Sequence, residues 1–450
     1  MFLGMRGTGD WVGSADGLTG GDQRPMNWRQ QIMYLYPNGM APLTAILSMM
    51  GSESVDDPQF HWWTQEQTAV AGAVIGPGLY TLPDLSVAYT GIPAGAIGDI
   101  LYAEVTTVLA MRIREGHQIL LRDASDWRVD VVGKVTGVTR GAPNSVLAIR
   151  LLEADNNSPD NDLTACDNFK IIGNINPEGG EMPDAIALNP VKVYNYTQIF
   201  RTPLSLTRTA LKTRLRTGNQ YQKAKSECLE MHSWEMELAY LWGIRTENFG
   251  DNRKPERTTM GVINFIRMYA GANCDDFTLN VAYTGMTWGQ ALGGSTAGEV
   301  WFKAMLEQIF RYGADEKLCL CGSGFLLGID SLAMSGGQIN LQPAQKTYGM
   351  QIRTWITAFG TIHMKTHPLF SYDATTRNMG VILEPKELGY RYVDDTSFYG
   401  ESTSKQHPAG YGTRRVDGIN EEYLTECGLE FGLPQKCAVL NGVGLDNDLV

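Results

Sequence analysis

Three glycines stand where a nucleotide-binding site would place them. Gly322, Gly324 and Gly328 lie between an apolar run, KLCLC, and a helical pattern, FLLGIDSLAM. Dinucleotide sites carry glycines at such a turn, because a bare backbone can approach a pyrophosphate closely. The spacing here is GxGxxxG, however, and QINLQ occupies the place of the ribose-binding acid. We favour a tight turn between strand and helix, and an α/β nucleotide-binding enzyme remains an open alternative.

Two further motifs have residue types that hold metal. The YVDD sequence at 392–395 matches a polymerase hairpin whose carboxylates bind catalytic metal, but no third carboxylate in register accompanies it. His363 and His367 have a spacing that binds zinc on a helix. Their segment alternates like a strand, where residues four apart lie about 13 Å apart. We therefore predict that the two histidines lie on a strand, and that the strand at YVDD ends in a solvated Asp-Asp turn. We expect no metal, cofactor or catalytic residue.

Composition indicates neither a secreted protein nor a sequence-reading nucleic-acid binder. Seven cysteines are scattered without a CxxC pair, as is typical of a reduced, intracellular chain. No signal segment and no membrane-spanning apolar run are evident. The 37 basic and 49 acidic residues give a net charge of −12, whereas nucleic-acid readers are usually basic. An acidic balance is compatible with a container wall that repels packaged DNA.

One segment is strongly basic. Between Arg201 and Lys225 there is no acidic residue, and the seven bases are Arg201, Arg208, Lys212, Arg214, Arg216, Lys223 and Lys225. Such a segment can contact phosphate on an inner surface, pair with acidic faces of neighbouring subunits, or form a solvated entry to a helix. All three interpretations stay open.

The order of elements predicts several packed units. Gly and Pro punctuate residues 1–67, which indicates an arm with one helical stretch at 41–50. Short β-branched runs separated by turns at 68–192 predict a small β-sandwich or barrel. The clearest helix spans 218–243. Its predicted buried stripe is Tyr221, Ala224, Cys228, Met231, Trp234/Glu235, Leu238 and Leu241/Trp242.

The second half of the chain alternates between helix and strand. A helix at 297–313, a buried strand at 317–321, a second helix and paired strands at 348–370 predict an α/β unit with a mixed sheet. Residues 421–444 read as a strand, a GLP turn and another strand. The expected fold class is α+β.

Taken in order, these elements resemble the major capsid proteins of tailed bacteriophages, which have the Hong Kong ninety-seven type fold. The resemblance is carried by NYTQIFRTPLSLTRTA (195–210), the helix ending near ELAYLWG, RTTMGVINFI, and the closing YLTECGLEFGLPQKCAVLNGVG. It implies an arm at 1–67, an extended loop with a β-rich insertion at 68–192, and a peripheral domain at 193–295 with a spine helix at 218–243. It also implies an axial domain at 296–420 and C-terminal strands at 421–450 that return to these two domains.

The function that this resemblance implies is structural and not enzymatic. Such a protein self-assembles as pentamers and hexamers into an icosahedral head that encloses double-stranded DNA, is built in the host bacterial cytoplasm and becomes part of the virion. The implied partners are further copies of the chain, a separate scaffold, a portal and decoration proteins, with no membrane. An encapsulin-like compartment of the same fold is the first alternative. We expect subunit contacts at Trp62, Trp63, Arg208, Lys212, Arg214, Arg216, Lys223 and Lys225.

Overall fold

The structure is a computed structural model that describes residues 51–65, 71–126, 128–156, 162–179, 182–183, 185–186, 189–213, 219–336, 341–347, 350–401 and 418–448. The helical stretch predicted at 41–50, with the rest of the arm before residue 51, lies outside these residues. The chain divides into two compact units. We call the described residues up to Trp62 and from Val193 onward the core unit, and residues Trp63–Lys192 the insertion unit.

The insertion unit consists mainly of short strands, as its β-branched runs predict. Numbered along the chain after β1 (Ser52–Ser54) and β2 (Gln59–Thr64), its elements are β3 (Ala71–Ala73), β4 (Leu79–Tyr80), β5 (Ile100–Thr106), α1 (Thr107–Ala110), β6 (His117–Arg122), β7 (Asp130–Thr139), β8 (Asn144–Leu151) and β9 (Asn168–Asn174). The strands form one antiparallel sheet in the order β3-β9-β6-β7-β8-β5-β4. The strands that lie wholly within the described part of the insertion unit thus form a single sheet with β3 and β4 at its edges, where the sequence predicted a sandwich or a barrel.

Alternation of apolar residues specifies this sheet. Every second residue is buried along much of β7 and β8, and the inward set includes Val131, Val135, Leu147 and Ile149. Burying one such side chain stabilises the fold by about 1.5–3 kcal/mol. A one-residue slip would turn the whole set towards water, so the aliphatic pattern also fixes the register.

The core unit contains the longer helices. They are α2 (Arg208–Lys212), α3 (Gln220–Trp242), α4 (Val262–Tyr269), α5 (Ala297–Ile309), α6 (Ser323–Gly336) and α7 (Pro368–Tyr372). The predicted long helix is present as α3, which begins after Asn219, whose side chain accepts a hydrogen bond from the Tyr221 amide. It ends at Gly243, where a Cβ would lie 2.4 Å from the carbonyl oxygens of Ala239 and Thr259. No described helix is long and apolar enough to cross a membrane.

The remaining strands follow in chain order. They are β10 (Val191–Tyr196), β11 (Gln198–Thr207), β12 (Thr246–Phe249), β13 (Pro255–Thr258), β14 (Cys274–Asp276), β15 (Ala291–Leu292), β16 (Ser295–Thr296), β17 (Glu316–Cys321), β18 (Leu341–Thr347), β19 (Met350–Ile356), β20 (Thr361–Thr366), β21 (Gly380–Leu383), β22 (Leu388–Glu401), β23 (Gly418–Phe431) and β24 (Ala438–Asn441). Short 3₁₀ turns occupy Gly271–Asn273, Phe277–Leu279, Val281–Tyr283, Pro385–Glu387 and Pro434–Lys436.

Two larger sheets organise the core unit. A four-stranded sheet has the order β1-β22-β23-β11, and β11 pairs antiparallel with β23 over ten residues, from Gln198 opposite Cys427 to Thr207 opposite Gly418. A seven-stranded sheet has the order β14-β24-β21-β17-β20-β19-β18. In it β17 runs parallel to β20 and antiparallel to β21, so the predicted mixed sheet is confirmed. Helices α5 and α6 contribute Trp301, Phe302 and Ile329 to its core.

Candidate assembly site

Helix α3 packs against β11 and β23 through a face that the sequence predicted only in part. Its buried residues are Cys228, His232, Met236, Glu237, Tyr240 and Leu241. Met231 and Leu238, which the predicted stripe placed inside, are exposed. The reason is that the facing strands present hydroxyl groups. A polar side chain, His232, is therefore buried against them, whereas the spacing of apolar residues predicted that Met231 would be buried there.

His232 joins the helix to both strands. Its Nδ1 lies 2.9 Å from the Thr202 hydroxyl on β11, and its Nε2 lies 2.8 Å from the Thr425 hydroxyl on β23. The Cys228 thiol donates a hydrogen bond to the Thr202 carbonyl one turn earlier. Burial lowers the pKa of His232, with partial compensation by Glu235. The neutral ring therefore acts as a two-ended bridge.

A second polar link ties α3 to the seven-stranded sheet. Glu237 Oε1 lies 2.7 Å from Nε2 of His367, and both side chains are fully buried. The other ring nitrogen of His367 accepts a hydrogen bond from the Leu369 amide and begins α7. The rod is thus held on two sides, with Met231 and Leu238 left facing solvent.

The exposed apolar residues of α3 form a candidate assembly surface. Met231 and Leu238 are seven residues apart, which places them on the same side of the helix, two turns apart. Exposed apolar side chains aligned along a rigid rod can be covered by another chain. The sequence pattern misplaced these two residues because an apolar stripe looks the same whether its own fold or a neighbouring copy covers it.

Trp62 and Trp63 have opposite environments. Trp62 lies in the core cluster of the core unit, with its ring centroid 5.9 Å from that of Phe265. Trp63 is 65% exposed. Of the two predicted contact residues, only Trp63 offers a large apolar surface to a neighbouring copy.

The basic segment faces acidic residues of its own chain. Arg201 forms an ion pair with Glu422 on β23, and Lys223 lies 3.6 Å from Glu227. The Lys225 ammonium lies 3.5 Å from the centroid of the Phe398 ring. Arg208 and Lys212 are exposed on α2, while Arg214 and Arg216 lie outside the described residues. Part of the positive charge is therefore neutralised or covered within the chain.

The candidate metal motifs are separated by the fold. The predicted Asp-Asp turn is wrong, because β22 continues to Glu401 and takes up Asp394 and Asp395 in a bulge against β23. Their carboxylates accept hydrogen bonds from the hydroxyls of Tyr399 and Tyr390. His363, unlike His367, contacts the Thr354 hydroxyl. Within the described part of the chain, no group of three or more His, Cys, Asp or Glu residues could hold a metal ion.

The glycine turn is filled by the chain itself. A Cβ at Gly322 would lie 2.1 Å from the Arg377 carbonyl oxygen, and one at Gly328 would lie 2.8 Å from Gly444. The Gly324 and Phe325 amides, which open α6, donate hydrogen bonds to that same Arg377 oxygen. A nucleotide phosphate needs such amides to be available, so this turn has the geometry of packing and not of phosphate binding.

The family of the chain follows from its sequence. A profile described as the SU10 major capsid protein matches residues 19–444. The chain is also similar to a major capsid protein of Pseudomonas phage PaMx41, with 22% identity over 432 residues that cover 92% of this chain and 91% of that protein. The chain belongs to the SU10 major capsid protein family. The predicted class, a phage major capsid protein of α+β capsid fold that forms a shell from its own copies, is thereby confirmed.

A comparison with solved structures also finds a match to a chain of Mycobacterium phage Bobi. Its TM-score is 0.44 at 7% identity, covering 96% of this chain and 98% of that one. The holo-SrpI encapsulin from Synechococcus elongatus PCC 7942 has a TM-score of 0.38 at 10% identity, covering 57% of this chain and 78% of that one. The family assignment is based on the sequence match, which extends over nearly the whole chain.

Proposed function

We propose that this capsid protein assembles as pentamers and hexamers into an icosahedral head that encloses the double-stranded DNA of a tailed phage. The observation that carries the proposal is the family match over residues 19–444. The net charge of −12 supports it, because a negatively charged wall does not retain a phosphate backbone. The basic segment also supports it, since part of its charge is already paired with the chain's own acids.

We assign the regions of the chain to parts of a capsid subunit in the same proposal. Residues 1–67 serve as the arm, 68–192 as the extended loop with its insertion, 193–295 as the peripheral domain, 296–420 as the axial domain and 421–450 as the returning strands. Helix α3 serves as the spine, since its 23 residues form a rod about 35 Å long. The rod is held on two sides by its own chain through His232 and Glu237.

The same proposal assigns two sets of residues to the contacts between copies. Trp63, Met231 and Leu238 are the apolar candidates. The basic candidates are Arg208, Lys212, Arg214, Arg216, Lys223 and Lys225, which complement acidic faces on a neighbour. Trp62, the other predicted contact residue, is buried in the core unit, so Trp63 is the one of the two that we propose to contact a neighbouring copy. Many modest contacts of this kind together resist the pressure of packed DNA, because a closed shell engages all of them at once.

The protein acts without catalysis in this proposal. The glycine turn that could have served a nucleotide-binding enzyme is occupied by Arg377 and Gly444, which supports a structural role. Assembly takes place in the host bacterial cytoplasm with a separate scaffold, a portal and decoration proteins as partners. The buried cysteines support a reducing compartment, because six of the seven are buried and all are free thiols.

The test is the mass and content of the purified particle. The chain is expressed alone and with its phage scaffold, and particles are measured by light scattering and negative-stain imaging. Closed megadalton shells that take up double-stranded DNA when the portal and packaging proteins are supplied would support the phage head. Closed shells that instead retain a protein cargo would favour the encapsulin-like alternative. A stable species of one to four copies under both conditions would overturn the proposal.

A further inference from the structure

The loop between β4 and β5 in the insertion unit exposes an unusual number of aliphatic side chains. Ile92 is 85% exposed and Ile97 is 71% exposed, and Leu82 and Val87 are also exposed. The sequence around this loop has no Lys or Arg from residue 30 to residue 111. Scattered exposed aliphatic residues are normal on a protein surface, but four within one loop make that loop a candidate interaction site.

This loop is held in place by a buried polar anchor. The Tyr89 hydroxyl donates a hydrogen bond to the buried Asp155 carboxylate and accepts one from the Gly95 amide. The Asp155 amide in turn donates to the Gly95 carbonyl, and the Gly98 amide donates to Leu151. Burial, together with the hydrogen bond to Asp155, raises the pKa of Tyr89 to about 12. These hydrogen bonds therefore hold the loop in place while its apolar side chains are exposed to water.

Helix α1 and the residue that follows it expose a second apolar pair at the other end of the same strand. Ala110 and Ile113 are buried, whereas Val108 is 68% exposed and Met111 is 62% exposed. Strand β5 joins the loop to α1, and its seven residues place the two patches about 20 Å apart. Two different apolar patches at opposite ends of one strand have the geometry that a head-to-tail contact between copies requires.

The charges beside the two patches are opposite in sign. The loop and the adjoining end of β8 carry Asp84, Asp99 and Glu153 against one base, Arg150, besides the buried Asp155. Around α1 lie Arg112, Arg114 and Arg140 against two acids, Glu104 and Glu115. Two copies of the loop would repel each other, whereas the loop and the α1 patch attract.

We propose that the β4–β5 loop of one copy binds the α1 patch of the next copy, so that insertion units join head to tail. Ile92 and Ile97 pack against Val108 and Met111, and Glu153 faces Arg112 across the contact. The occupant of the loop is thus a second copy of this chain. The inference deepens the proposed function, because it requires copies arranged side by side in a shell.

The experiment uses intact shells of full-length chain with new cysteines at Ile97→Cys and Val108→Cys. Both positions are exposed, so the fold tolerates the changes, and the native cysteines are buried except Cys274, which is partly buried. Shells of each single variant and of the double variant are treated with short and long bis-maleimides, with unmodified shells as the control. In the double variant we expect the monomer band to be lost to a ladder longer than a dimer, with little change in either single variant.

Each other outcome has a defined meaning. Dimers from Ile97→Cys alone would indicate a loop-to-loop contact and overturn the head-to-tail arrangement. Shells of the double variant that stay monomeric with both reagents would overturn the inference, leave the shell function intact and point to a different protein on the loop. Failure of the unmodified chain to form shells would instead contradict the proposed function.

A charge exchange tests the same contact without cross-linking. Glu153→Arg and Arg112→Glu each place like charges across the proposed contact, so each lowers the salt concentration at which shells dissociate. The double exchange restores the attraction and the wild-type midpoint. Ile172→Ser, at an exposed aliphatic residue of β9, serves as the control and leaves that midpoint unchanged. Lack of rescue in a folded double exchange would contradict the assigned pairing.

Discussion

The insertion unit and the core unit are specified by different kinds of contact. The core cluster of the insertion unit consists mostly of aliphatic residues, two thirds of the cluster lies on neighbouring strands, and the buried Tyr89–Asp155 pair is its polar exception. The core unit buries charged and polar groups that meet from distant parts of the chain, such as Glu237 with His367 and Asn195 with Leu429. The first kind of core is encoded by alternation within each strand. The second kind depends on matched partners, and the loss of one partner leaves the other buried without compensation.

The largest expected effect follows from breaking the buried pair of the core unit. Replacing Glu237 by Leu leaves the Nε2–H group of His367 buried without its acceptor, which costs about 3 kcal/mol of unfolding free energy, the upper end of the range for a stranded buried donor. Urea unfolding followed by tryptophan fluorescence measures the loss. Glu237→Gln keeps a hydrogen-bonding oxygen and is the matched control, with a smaller loss expected. A Leu variant as stable as the Gln variant would show that the pair does not specify this core.

Next in size is the hydrogen-bond hub at Asn195. Its side-chain amide donates to the Thr259 hydroxyl and to the carbonyls of Met260 and Leu429, and its oxygen accepts from the Met260 amide. Asn195→Ala leaves several of these groups unsatisfied, so we expect a loss of about 1–3 kcal/mol in the same urea experiment. Asn176→Ala, at an exposed asparagine, should stay within about 0.5 kcal/mol of wild type. Equal losses in both variants would refute the hub.

The pH dependence of stability sharpens the comparison at His232. Burial lowers its folded pKa, so the unfolded chain binds the proton first as the pH falls below about 6.5. The contribution of His232 to the free energy of unfolding is complete above that pH and declines below it. The decline is at most about 1.4 kcal/mol per pH unit until the pH reaches the folded pKa. His232→Gln keeps a side-chain amide between the two threonines without titrating. The difference in unfolding free energy between wild type and the Gln variant should therefore shrink as the pH falls from 7.5 to 5.5. A constant difference would exclude this role.

A smaller change is expected from trimming the aliphatic core of the insertion unit. Ile149→Val removes one methylene from a fully buried side chain, at a cost of about 0.5–1.5 kcal/mol. No partner is stranded, so we expect the remaining side chains to absorb the change. Thermal unfolding followed by circular dichroism measures it. A loss as large as that of the Glu237 variant would erase the proposed distinction between the two cores.

The sequence predicted where helices and strands lie better than it predicted which of their faces are buried. The termini of α3 follow from local residues, Asn219 and Gly243, and were predicted to within two residues. Its buried face depends on Thr202 and Thr425, which no local pattern brings to the helix. The bulge at Asp394 and Asp395 likewise depends on the register of β22 with β23. Strands β7 and β8 were predicted because alternation is a local property.

The candidate contact residues were only partly accessible to sequence reasoning. The sequence shows a cluster of basic residues directly. It does not show that Arg201 forms an ion pair with Glu422, because these residues are 221 positions apart. Ile92 and Ile97 were missed because an exposed isoleucine has the same letter as a buried one. The long stretch without Lys or Arg, from residue 30 to residue 111, is the signal that could have identified the loop.

The pairing of β11 with β23 has a consequence for synthesis on the ribosome. The insertion sheet is complete once residue 174 has emerged, whereas the four-stranded sheet waits for residues 418–431. A nascent chain therefore carries a folded insertion beside an unfinished core. Limited proteolysis of ribosome-stalled chains should protect the insertion in a chain that ends near residue 260, long enough for residues 198–207 to have left the ribosome, and leave residues 198–207 open to cleavage. The spine surface of α3 is then completed only when the chain is nearly finished, which delays its encounter with other subunits until release.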